Sequence, residues 1–109
     1  MRDGIYKVYL EGGGIKGFMI GTLSNGKLTG CDQSHHVTGD VREDGSHIRG
    51  MLSMHRHSKP NGFAEIAGMD NIDVTFWGLG GLAAGEFQAR IEGRPDLPVK
   101  ANFQWLCSL

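Results

Sequence analysis

Apolar and polar residues alternate along most of the chain, and the alternating runs are cut by short reversal signals, of which Asn25-Gly26 and Asp44-Gly45 are the strongest. Alternation with period two puts successive side chains on opposite faces of a strand. Asn-Gly or Asp-Gly between two such runs favours a two-residue hairpin, because the turn needs positive φ at its central positions. The pattern predicts strands over Gly4–Leu10, Ile15–Leu23, Lys27–Asp32, Val37–Arg42, Ser46–His57, Asn71–Leu79, Glu86–Glu92 and Val99–Cys107. Ser58–Asp70 interrupts it, and Phe63-Ala64-Glu65-Ile66-Ala67 before Gly68 predicts one short helix near residues 62–68.

About eight strands joined mainly by short reversals make a meander with two exposed edges. Closure into a barrel removes those edges. The expected fold is therefore all-β, a small up-and-down barrel over residues 1–109, with a two-sheet sandwich as the competing architecture. A chain of 109 residues is the size of one domain. Its 18 glycines, scattered at turns and singly inside apolar runs, suit many reversals and exclude collagen or a low-complexity linker. Gly39 and Gly50, on inward positions, suit tight bends.

Charge and hydropathy exclude several function classes. The formal net charge is −1 with no basic stripe, which argues against direct nucleic acid binding. No segment approaches the ~18 apolar residues of a membrane helix. Met1-Arg2-Asp3-Gly4 leads straight into a strand pattern without a signal-peptide core, so a cytoplasmic location is expected. Cys31 and Cys107 are then expected as reduced, buried thiols.

Motifs that resemble catalytic or phosphate-binding signatures fail on context. Gly12-Gly13-Gly14-Ile15-Lys16-Gly17 has dinucleotide-loop spacing, but a strand follows where a helix N-terminus is needed. Gly21–Lys27 mimics a phosphate loop, yet Leu28 stands where a hydroxyl must hold magnesium. No serine lies in a nucleophile elbow. His47, His55 and His57 share one predicted strand face, and His35 and His36 precede the fourth strand. They lack a metal-ligand spacing signature, so no metal, cofactor or catalytic residue is assigned.

The outer faces carry more information. Tyr9, Met51, Trp77, Leu79 and Leu106 fall on predicted outward positions. Large apolar residues of this kind are enriched at interface cores, so they predict a dimer or partner surface. Glu43-Asp44 forms a hairpin tip that reads either as a solvated turn or as an acidic recognition patch. Inward positions Tyr6, Leu52, Phe76, Phe87, Phe103 and Trp105 line the barrel interior. An eight-stranded barrel is either filled by such side chains or holds one small ligand, which makes an interior ligand site the second functional hypothesis.

Three stretches carry a family resemblance: Met1-Arg2-Asp3-Gly4-Ile5-Tyr6-Lys7-Val8, Asn25-Gly26-Lys27-Leu28-Thr29-Gly30-Cys31-Asp32, and Val37-Thr38-Gly39-Asp40-Val41-Arg42-Glu43-Asp44-Gly45. Together they resemble the type III secretion negative regulator family, the GrlR-like small barrels. Beyond Met54-His55-Arg56-His57 the likeness continues mainly as strand pattern. The resemblance implies a lipocalin-like barrel that forms homodimers. It also implies a regulatory role through binding a transcriptional activator protein, with an acidic surface run contributing. Here that run is Glu43-Asp44, cut short by Gly45-Ser46.

Overall fold

The computed structural model describes residues 1–12, 15–32, 34–58, 71–81 and 83–109. Eight strands run in chain order: β1 (Gly4–Gly12), β2 (Ile15–Ser24), β3 (Lys27–Cys31), β4 (His35–Asp44), β5 (His47–Arg56), β6 (Asn71–Gly80), β7 (Ala84–Ile91) and β8 (Pro98–Cys107). Each pairs antiparallel with its neighbours in sequence, and β8 closes onto β1 to complete a barrel. The barrel prevails over the sandwich, and every strand has a hydrogen-bonded neighbour on both sides. The helix expected near residues 62–68 lies outside the described residues.

Both sharp hairpins are set by backbone chemistry. At the β2–β3 turn, Asn25 (φ 51°) and Gly26 (φ 76°) both adopt positive φ, the signature of a type I′ turn. The β4–β5 turn differs from expectation. Its two loop residues are Gly45 and Ser46, because Asp44 pairs with His47 as the last rung of the ladder. Gly45 alone takes positive φ (63°), so the turn is of II′ character and Asp44 stays in the strand.

The inward series on each strand fills the interior. Tyr6, Val8 and Leu10 of β1 meet Val37 and Val41 of β4, Ile48, Leu52 and Met54 of β5, and Ile72, Val74 and Phe76 of β6 in one buried core. Met19 and Leu23 of β2, Leu28 of β3, Phe87, Ala89 and Ile91 of β7, and Val99, Ala101 and Phe103 of β8 belong to the same core, with Leu97 just before β8. Three phenylalanines form its centre: Phe87 and Phe103 meet edge-to-face at 4.7 Å, with Phe76 at 5.7 and 5.8 Å from them. Such ring pairs add about 0.5–1.5 kcal/mol each beyond their buried area.

Residues 1–3 lie over the barrel mouth at the start of β1. The Tyr6 hydroxyl donates to the Arg2 carbonyl at 2.5 Å, and Trp105 Nε1 donates to the Asp3 carbonyl at 3.2 Å. The Arg2 guanidinium stacks 4.0 Å over the Trp105 ring. Trp105, expected as an interior residue, is therefore half-buried at this mouth.

Both cysteines are exposed, against the expectation of buried thiols. Cys31 points outward between Ile20 and His36. For Cys107 the reason is a β-bulge: Trp105 pairs with Tyr6, but Cys107 pairs with Ile5, leaving Leu106 as the extra residue. The extra residue changes the phase of the alternation, so Cys107 departs from the inward series begun at Val99.

Candidate interaction surface

The interior offers little room. Its cavity, lined by Val8, Met19, Leu52, Phe76, Phe103 and neighbouring apolar side chains, measures about 20 Å³. That is space for roughly one water, and an apolar lining gives a water no partner. Tyr6, Leu52, Phe76, Phe87 and Phe103 thus act as packing, with each at most 7% exposed. Among the described residues, this packing leaves interior space for about one water.

The outward residues form rows that run across the strands. Asp44, His47 and Leu79 make one row through the β4–β5 and β5–β6 pairings. Arg42, Arg49 and Trp77 make the parallel row two residues along. Between them lies the row Glu43, Ile48 and Gly78, which occupies inward register positions, and Gly78 has no side chain at all. The two outward rows therefore border an open hollow of about 660 Å³. A second hollow of about 670 Å³ lies on the far side of Trp77 and Leu79, bounded by Glu86, Gln88, Lys100 and Asn102. Trp77 and Leu79 stand as a ridge between the two, 42% and 58% exposed.

Sequence-expected residues thus converge in part. Trp77 and Leu79 share the first hollow with Glu43 and Asp44. Met51 borders an adjoining hollow with Asp40, Arg42 and Arg49. Tyr9 and Leu106 are exposed but belong elsewhere. Tyr9 pairs in register with Phe18, their rings 5.2 Å apart, and with Ile20 they make a separate exposed patch on β1–β2. Lys7 lies 5.6 Å over the Tyr9 ring at its margin. Phe18 and Ile20 were not among the expected surface residues, although Met19, Gly21 and Leu23 are buried and the period of two places Phe18 and Ile20 opposite them.

The acidic tip is less uniform than the sequence implied. Asp44 faces outward, whereas Glu43 sits on the inward register toward the mouth, where its carboxylate meets the Met1 amino group. Asp40, on the outward side, is held by Lys27.

The five histidines do not gather into one cleft. His35 lies inside β4, fully buried, with Nδ1 3.0 Å from Ser34 Oγ and no partner at Nε2 among the described residues. The Asp32 carboxylate accepts the Ser34 and His35 amides at 2.8 and 2.6 Å, which starts β4 two residues before the expected Val37. His36 and His55 face each other across β4–β5 on the outer wall, their rings stacked at 5.2 Å. His57 follows β5 and contacts Ser58 Oγ and the Asp32 carbonyl, while His47 is at the opposite end. Among the described residues, no group of three or more His, Cys, Asp or Glu side chains is arranged to hold a metal ion.

No protein-family model matches this chain, and no curated protein sequence does.

Proposed function

We propose that the chain is a non-catalytic interaction protein that binds another protein through the outer wall of its barrel. The observation that carries this reading is the Trp77–Leu79 ridge. A large aromatic and a leucine stand exposed beside an open hollow, while the interior is filled. Trp, Tyr and Arg are the residues most often found at the energetic centres of protein interfaces, and the hollow carries both Trp77 and arginines.

The fuller reading is a lipocalin-like, GrlR-like regulator that works as a homodimer and controls a transcriptional activator protein by binding it. It is favoured by the strand motifs of the first half of the chain and by the second exposed patch, Tyr9, Phe18 and Ile20, on a wall remote from the β4–β5 hairpin. A two-fold dimer needs one self-complementary patch per subunit. Two separate patches allow self-association and partner binding at once.

Light scattering across a concentration series tests the dimer. A mass twice that of the chain, reduced to the monomer by Phe18→Glu and unaffected by Trp77→Ala, is the expected result. A monomer at every concentration overturns the homodimer reading. The partner reading is tested separately by affinity capture with wild type and Trp77→Ala side by side. It fails if the proteins retained by the two are the same.

A further inference from the structure

We propose that the hollow between the rows Arg42–Arg49–Trp77 and Asp44–His47–Leu79 is built to take an acidic segment of a partner protein. The two guanidiniums would hold its carboxylates, and Trp77 with Leu79 would hold a large apolar side chain beside them. This rests on the reading of the outer wall as the binding face and adds the chemistry of what binds there.

The first support is an arrangement that works against the folded chain itself. Arg42 and Arg49 are directly opposite in the β4–β5 ladder, and both are exposed. Side chains so placed have Cβ atoms about 4.5–5.5 Å apart, and like charges there destabilise the sheet.

The second support is that no ion pair among the described residues relieves this. Among the described residues, neither guanidinium has a carboxylate partner. Acidic groups share the outer face, Asp44 in the same hollow and Asp40 in the adjoining one, but none forms an ion pair with either arginine. Asp40 is held by Lys27, Glu43 turns to the mouth and the Met1 amino group, and Asp44 lies in the other row, opposite His47. The pair therefore places two positive charges side by side, without an ion-pair partner among the described residues, on a chain whose net charge is −1.

The third support is the neighbour in the same row. Trp77 stands directly opposite Arg49 on β6. Arginine forks bind carboxylates bidentately, and arginine is less strongly hydrated than lysine, so it gives up water readily at an interface. An apolar wall beside it lowers the local dielectric and strengthens the pairing. A purely apolar partner would leave two arginines desolvated without partners, which is costly. A segment with carboxylates flanking one large apolar residue satisfies both halves of the row.

A displayed library of short random peptides, selected on the intact folded protein, provides the test. The expected outcome is enrichment of peptides that carry Asp or Glu beside a Trp, Phe or Leu. Their affinity should fall by about tenfold or more in both Arg42→Gln/Arg49→Gln and Trp77→Ala, since charge-assisted bonds and buried aromatic anchors each contribute on that scale. Affinity should also fall with added salt. The arginine replacements should leave the urea midpoint unchanged or raised, because they remove a repulsion, so a loss of binding is not a loss of fold.

Enrichment of neutral apolar peptides that depend on Trp77 but not on the arginines overturns the acidic-segment proposal and leaves the outer-wall reading standing. Peptides insensitive to Trp77 and to both arginines, or no enrichment, overturn both. A fluorescent oligothymidine bound more tightly than the selected peptides, and lost in the same arginine variants, overturns the proposal in favour of single-stranded nucleic acid.

Discussion

Replacing Phe103 by alanine tests whether the barrel interior is structural filling. Phe103 is 3% exposed and stands on β8 between Val8 of β1 and Gly85 of β7. Its ring meets Phe87 at 4.7 Å, Phe76 at 5.8 Å and Tyr6 at 6.5 Å, and it borders the cavity of about 20 Å³. Truncation of a buried phenylalanine costs about 3–5 kcal/mol, rising with the volume of the hole that remains. The upper part of that range is expected here, because three ring contacts go and a closed hydrogen-bonded barrel cannot collapse into the gap. With a urea slope of about 2 kcal/mol per molar, the midpoint should fall by roughly 2 M. Trp77 and Trp105 supply the fluorescence signal. Phe103→Leu, which keeps most of the volume but gives up the ring contacts, should cost clearly less than Phe103→Ala. The enlarged apolar cavity should also take up benzene or xenon, as dry engineered cavities do, and recover stability in proportion. A Phe103→Ala loss below about 1 kcal/mol would refute the filled interior, since a side chain lining a genuine ligand cavity has little packing to lose.

Gly50→Ala probes the same interior by addition. Its new Cβ would lie 2.2 Å from the Asp40 carbonyl oxygen and 2.5 Å from Phe76 Cζ, so a loss of about 1–3 kcal/mol or more is expected in urea unfolding. Asn25→Ala should cost about 1–2 kcal/mol by forcing alanine into the left-handed region, while Asn25→Gly at φ 51° should be nearly neutral, both read from thermal melts. Burial first, and the Asp3 carboxylate second, push the Tyr6 phenol above its ordinary value of 10.0. The unfolded chain then ionises Tyr6 before the folded one does, so stability held below pH 10 declines as pH rises beyond it. Tyr6→Phe should flatten that alkaline decline in urea midpoints, and an unchanged slope would count against the buried phenol.

Strand faces were legible because a period of two is a local property. Ile72, Val74 and Phe76, or Phe87, Ala89 and Ile91, go inward as a pair of neighbouring residues already implies. The outward series was equally legible at Tyr9, Met51, Trp77 and Leu79, all exposed. Register was harder. A two-residue loop at Asp44-Gly45 would pair Arg42 with His47, whereas the observed loop at Gly45-Ser46 pairs it with Arg49. The change moves each partner by two places, which preserves the faces but changes the neighbours. That is why Trp77 was found in the sequence while the opposed arginines were not. Cys107 failed for a different reason, since the bulge at Leu106 comes from fitting β8 against β1, residues about a hundred positions apart. His35 was expected before the fourth strand and lies inside it because Asp32 binds the Ser34 and His35 amides through its side chain, which extends β4 backward by a contact no periodicity reports.

The same closure that fixes the fold decides where recognition can occur. In a closed ladder every strand already has two neighbours, so a partner finds no edge strand to extend. The inner faces are used in packing, and the mouth beside Tyr6 is covered by residues 1–3 and Trp105. What the wall retains is outward side chains held in rows about 4.8 Å apart from strand to strand, on a backbone that has little freedom left to lose. Recognition by such rows incurs a small ordering cost, because the groups stand in place before a partner arrives. It also makes the cost of each row visible in the free protein. Like charges directly opposite, as Arg42 and Arg49 are, work against the sheet that carries them, and added carboxylates are the simplest compensation a partner can bring. Binding and stability should therefore move in opposite directions when either arginine is neutralised, a relation that an arginine pair serving only to support the sheet would not produce.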